Sequence, residues 1–222
     1  MDEVPTNQPP RDEAQITRAF EHAADALGLA RAGRGAVVAD LLARLREPHR
    51  AYHDARHVAS CVVLAEEHRA HARRPAEVLL ALLFHDAIYV PLARDNEARS
   101  AALATTALRG LGASDEVTER VAALVLTTRD HASRGDPDAE LVLDCDLAIL
   151  GADDDAYAAF EDGVRAEHAM VDEARYRAGR ARVLEGFLGR TQLYAVPAIA
   201  RACEARARSR LAAQIARLRG GG

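Results

Sequence analysis

The chain has 222 residues, 49% of them apolar and 28% charged, with a formal net charge of -5 and a pI near 6.0. That length suits one domain with a full core, and the acidic balance gives no global field for the phosphates of long nucleic acids, so a polymeric nucleic-acid partner is not expected. Cys61, Cys145 and Cys203 are too few and too widely spaced for a disulfide framework or a Cys-X-X-Cys site, the longest apolar run, Val78 to Phe84, is far too short to span a bilayer, and the N-terminus does not read as a signal peptide. The expectation is a cytoplasmic protein that does not engage membranes.

In chain order, residues 1–10 are polar, with Pro5, Pro9 and Pro10, and are expected to be disordered; residues 218–222, ending in Gly220, Gly221 and Gly222, read as a flexible tail. Between them, over 11–217, apolar positions recur at helical spacing near 12–29, 35–46, 55–72, 76–88, 95–110, 115–129, 137–150, 154–170, 174–189 and 195–217. Ser114 and Asp136 stand where N-caps belong, Pro137 fits a first helical position, and Gly151 follows Leu150 as a stop. No strand-like alternation competes, so the fold class is all-α, a single-domain irregular helical bundle.

The sequence contains no lysine. Walker-type phosphate loops and Schiff-base catalysis both need a lysine amine and are excluded. Phosphate recognition, if present, falls to arginine, backbone or metal.

Six of the nine histidines lie between His49 and His85, in the runs Tyr52-His53-Asp54-Ala55-Arg56-His57 and Phe84-His85-Asp86. Histidine beside carboxylate suits a divalent ion that must also bind substrate oxygen. His53 and His57, four apart, share a helix face. Asp86 follows an apolar run that predicts a helix buried on nearly all sides, where a carboxylate needs a partner. In Asp144-Cys145-Asp146 the two acids point about 200° apart on a helix; Asp146 has Val142, Leu143, Ile149 and Leu150 at its three- and four-residue offsets, so Asp146 is expected to face inward and to be the ligand.

The ordered set His57, His85-Asp86, Asp146 resembles the HD superfamily of metal-dependent phosphohydrolases, and most closely its small bacterial phosphohydrolases. Tyr52 to Val58, Phe84 to Tyr89, Asp95-Asn96-Glu97 with Ser100-Ala101, Asp144 to Gly151 and Tyr176 to Arg180 extend the similarity. The resemblance implies an HD-type helical fold with a divalent ion (Mn, Fe, Co, Ni, Zn or Mg) held by His57, His85, Asp86 and Asp146. It further implies hydrolysis of a phosphoester or phosphoanhydride bond by a metal-activated water. Tyr52 to His57 is similar to the Tyr-His-Asn-X-X-His run of the family's cyclic-nucleotide phosphodiesterases, with Asp54 in place of Asn, which makes His53 the general acid. Tyr89 stands where those enzymes carry a second histidine. Glu97 is a second catalytic candidate.

Arg56, Arg129, Arg165, Arg180 and His131 are candidate substrate contacts, and the expected substrate is a small phosphorylated molecule, with a nucleotide first among them. Two other functions fit the same residues: a di-iron oxygenase of HD fold, for which only His131 is placed to add a ligand, and a nucleotide-binding module without turnover. Assembly into an oligomer is compatible with the sequence.

Overall fold

A computed structural model describes residues 10–133 and 135–220. The expectations for residues 1–9, 221 and 222 fall outside them. The described residues form ten α-helices with no strand, and none of those helices is long and apolar enough to cross a membrane. In chain order they are α1 (Arg11–Ala26), α2 (Arg34–Leu45), α3 (Ala55–Glu67), α4 (Pro75–Phe84), α5 (Asn96–Gly110), α6 (Asp115–Thr127), α7 (Pro137–Leu147), α8 (Asp154–Glu167), α9 (Glu173–Leu188) and α10 (Pro197–Gly220).

The centre of the bundle is α4. Pro75 starts it, and every side chain from Val78 to Phe84 is buried, packed among α1, α3, α5, α6 and α7. Each fully buried Leu or Phe contributes about 1.5–3 kcal/mol. That anchoring gives the end of α4 little freedom, and it is there that the chain turns out of the helix as His85-Asp86. The helix stops at Phe84, earlier than the spacing predicts, and buried Ala87 carries on the apolar stripe from the turn that follows.

α4 and α7 are tied together at their starts. Asp138 is buried, and one of its oxygens accepts from the amides of Arg73 (2.6 Å) and Arg74 (3.0 Å) just before α4. Arg120 of α6 pairs with Asp136 (2.6 Å) and Asp138 (2.7 Å), and Asp136 caps α7 by accepting from the Asp138 amide at 3.1 Å. Arg120 holds the Asp136 carboxyl below its ordinary value of 3.8, against a smaller opposing effect of burial. A depressed carboxylate stabilises the fold above its ordinary pKa and stops doing so as pH falls through the folded one. Asp136→Ala should therefore lose about 1–2 kcal/mol of unfolding free energy at pH 7. The gap between variant and wild type should close in urea titrations run well below pH 4. A gap that stays constant with pH would mean that the ion pair contributes nothing.

Beyond Leu147, α7 tightens into a 3-10 turn, Ala148–Gly151, against which α8 and α10 pack. Gly151 ends this turn as expected, but for a contact reason: a Cβ there would lie 2.4 Å from Cys203 Cβ on α10. Gly163 plays a similar part on α8, where a Cβ would lie 3.0 Å from Tyr52 Cβ and so hold the helix off the loop that carries His53. The C-terminal helix runs to Gly220, three residues into the expected tail, because Arg177 of α9 donates to the carbonyls of Arg217 (2.6 Å) and Leu218 (3.1 Å).

Candidate metal centre

His57 comes from the first turn of α3, His85 and Asp86 from the turn ending α4, and Asp146 from the last turn of α7. His57 Nε2 and His85 Nε2 are 3.1 Å apart. Asp146 Oδ1 lies 3.2 Å from the first and 3.6 Å from the second, and Asp86 Oδ2 lies 3.5 Å and 3.1 Å from the same two atoms. Four donors each about 2.1 Å from a single ion, at tetrahedral or octahedral angles, would be about 3.0–3.4 Å from one another. The five separations from His57 and His85 match that spacing to within a few tenths of an ångström.

Two further observations fit an ion. Asp86 Oδ2 is buried and accepts no hydrogen bond, an arrangement that is costly unless something else satisfies the oxygen. His85 Nδ1 donates to the Leu82 carbonyl at 2.7 Å, which leaves the Nε2 lone pair turned toward the cluster, as a ligand histidine requires. Burial alone would raise both carboxyls. His85, His53 and His57 hold Asp86 below the usual carboxylate range, and His131, His57 and His85 do the same for Asp146. The half-buried carboxylates and the histidines facing them thus form one charged cluster at the end of the cavity.

The thiol of Cys61, one turn along α3, also lies within 4.8 Å of the donor atoms of His57, His85 and Asp146, so this buried group of four could hold a metal ion. Its Sγ is 3.8 Å from both Nδ1 and Nε2 of His57. A sulfur equidistant from the two nitrogens sits over the imidazole rather than beyond the Nε2 lone pair, and it points to the Cys145 carbonyl at 3.6 Å. Burial pushes this thiol well up. Asp86 lies within 3.5 Å of both histidine Nε2 atoms, beside the group that includes Cys61.

His53 stands beside this group and is oriented by a residue that the sequence reading missed. Glu167, at the end of α8, is 2% exposed. Its Oε1 accepts from the amides of Ala51 (2.9 Å), Tyr52 (2.8 Å) and His53 (2.9 Å), and its Oε2 from His53 Nδ1 (2.7 Å) and Tyr89 Oη (2.9 Å). With Nδ1 engaged, Nε2 is the nitrogen of His53 left for the cavity. Burial works against a charged His53, but Asp86 and Glu167 outweigh it and raise its pKa. Glu167 itself, in spite of burial, is brought down to about 2 by His53 and the backbone amides.

A second residue absent from the sequence reading joins the two segments. Arg50 donates to the carbonyls of His53 (2.8 Å), Asp86 (2.7 Å) and Ala87 (3.2 Å). Beyond the His-Asp pair, Asn96 holds both the amide and the carbonyl of Val90 at 3.0 Å, and Ser100 bonds the amide of Ile88. The Asp95-Asn96-Glu97 and Ser100 stretches thus brace the loop after Asp86. Asp54 caps α3 by accepting from the Arg56 amide.

His53, His85, Asp86, Glu97, His131 and Asp146 all line one cavity of about 470 Å³. His131 Nε2 lies 3.2 Å from Asp146 Oδ2. Its backbone is left-handed at φ 52°, a conformation that disfavours side chains, and Arg190 holds it there through the His131 carbonyl at 3.0 Å.

The candidate arginines are not brought together. Arg56 pairs with Asp54 and the Ala51 carbonyl on a separate cavity next to α3. Arg165 is spent on the carbonyls of His168 and Val171 and on Glu173. Arg129 is exposed on the turn after α6 and does not line the cavity of the metal centre. Arg180 does line it, but is paired with Glu161 at 2.5 Å. Asp144, set aside as a ligand, is buried too: it accepts from the amides of Ala195 (3.0 Å) and Val196 (2.6 Å) and pins the start of α10.

Compared with family models, with curated proteins and with solved structures, the chain gives no match.

Proposed function

We propose that the chain is a metal-dependent phosphohydrolase of the HD type, cleaving a phosphoester or phosphoanhydride bond of a small molecule. The observation that carries this reading is the convergence of His57, His85, Asp86 and Asp146 on one buried point, with an unsatisfied Asp86 oxygen, beside a histidine locked by a buried glutamate. A divalent ion bound there supplies a water acidified toward neutral pH and a Lewis-acid contact for a phosphoryl oxygen.

The protein's own groups divide the remaining work. His53 presents Nε2 to the cavity while Glu167 holds its Nδ1 proton, so a protonated His53 donates to the departing ester oxygen. Tyr89, stacked on His53 at 4.2 Å, keeps the ring in plane. Glu97 lines the same cavity and is the second group placed to handle a proton. His131 holds the outer oxygen of Asp146 and so orients its inner one.

One ion is favoured over the two irons of an oxygenase. Among the described residues a single group of metal-capable donors comes together, and His131 is directed at Asp146 rather than at further ligands.

The test is to purify the protein without chelator, measure its metal, strip it, and follow phosphate or alcohol release from phosphoesters before and after divalent ions are restored. The expected result is about one ion per chain and hydrolysis that disappears and returns with it. Metal without hydrolysis would leave a binding module, and two irons with oxygen uptake would leave the oxygenase.

A further inference from the structure

Resting on the hydrolase reading, we infer that the substrate is a phosphoester of low charge with an apolar or aromatic body, rather than a nucleoside polyphosphate. The argument comes from what surrounds the centre. Past the polar end at His53, His85, Asp86 and Asp146, the cavity is walled by Leu147, Ile149, Phe160, Val164, Val183 and Phe187. Its volume of about 470 Å³ suits a small molecule with one ring system.

Charge points the same way. The donor set brings two carboxylates to a divalent ion, which leaves the occupied centre without net charge. Glu97 adds a negative group to the wall. Two arginines line the cavity, and only Arg175, on its rim, is open to a chain of phosphates. Arg180 is half-buried and paired with Glu161, which also receives Gln214 at 3.1 Å, and its guanidinium lies 4.9 Å over the Phe160 ring. Arg175 stands on the exposed rim beside Asp172, 3.3 Å away. A triphosphate entering here would meet apolar walls and Glu97, with only the rim Arg175 and the histidines of the polar end to balance it, and burying poorly paired charge against such walls is unfavourable. A single ester phosphate is met at the centre itself, and an apolar body gains from the walls in proportion to the area it buries.

The experiment compares kcat/KM of the metal-loaded protein for 1-naphthyl phosphate, bis(p-nitrophenyl) phosphate, glycerol 2-phosphate and ATP. The aryl esters should exceed glycerol 2-phosphate and ATP by at least about 10-fold, the scale on which apolar pockets discriminate. Val183→Asp, at a half-exposed wall position that tolerates a charge, should shrink that preference about tenfold. Hydrolysis of ATP as fast as of the aryl esters overturns the inference and leaves the hydrolase standing. If no compound turns over, the hydrolase reading falls and calorimetry decides the cavity. In that case 1-naphthyl phosphate binding at least tenfold tighter than ATP upholds its chemistry, and an equal or reversed order overturns it.

Discussion

Asp146→Ala is expected to empty the metal centre, taking the bound ion from about one per chain to a trace and phosphoester hydrolysis down by at least about 10³-fold, the scale on which single electrostatic contributors act. The side chain touches all three histidines around it: Oδ1 reaches His57 and His85, and Oδ2 reaches His131. Losing it removes one donor, half the anionic charge and the restraint on His131 together. His85→Ala should match it, since His85 is 2% exposed and its only evident task is to present Nε2. Asp144→Asn is the internal comparison. It lies two residues away on the same helix and is the more deeply buried of the two, yet its partners are the Ala195 and Val196 amides. It should lose about 1–3 kcal/mol of stability while keeping its ion. Elemental analysis of the three purified variants separates the cases, and an Asp146→Ala protein that still holds one ion per chain would sink the site as drawn.

How much of this could be read in the chain depended on how local the cause was. Caps at Ser114 and Asp136, the proline starts and the apolar spacing act within one or two turns, and the helices follow them closely. Asp86 was visible because it follows an apolar run and Asp146 because its helix neighbours are apolar, whereas His57 rested on its spacing from His53 and on the family resemblance. Glu167 likewise follows Tyr157, Phe160 and Val164 on the buried face of α8. That signal was present and could have been used. Its partners, however, are backbone amides more than a hundred residues earlier, and main-chain donors leave no mark in a sequence. Arg50 was hidden for the same reason, since it bonds carbonyls. Asp144 showed the opposite difficulty: its neighbours on the helix look half polar, and its burial comes from a distant loop. The arginines considered for phosphate were plausible by type, but most are consumed by nearby acids and carbonyls, which composition cannot reveal.

Glu167→Gln should lower kcat by about 10²-fold or more with metal content unchanged, because a general acid typically supplies ~10²–10⁴ in rate and this residue decides whether His53 is one. Glutamine keeps an oxygen for the three amides but puts an NH2 group where His53 Nδ1 and the Tyr89 hydroxyl both donate. To avoid donor facing donor, His53 must give up its Nδ1 proton and with it the positive charge. The pH profile identifies this cause. A general acid works while protonated, so activity falls as pH rises through its pKa. Glu167 helps raise the pKa of His53, and the alkaline fall of kcat should therefore move to lower pH in the variant. Glu167, at about 2, stays ionised throughout and adds no limb of its own. Its depressed pKa also stabilises the wild-type fold above 4.5, an advantage of about 3 kcal/mol that fades as pH drops toward 2. Glutamine cannot titrate, so the acid sensitivity should weaken in the variant. A purely structural role for Glu167 predicts lost stability with kcat and its pH profile unmoved, whereas the positioning role predicts that both shift while the ion remains bound.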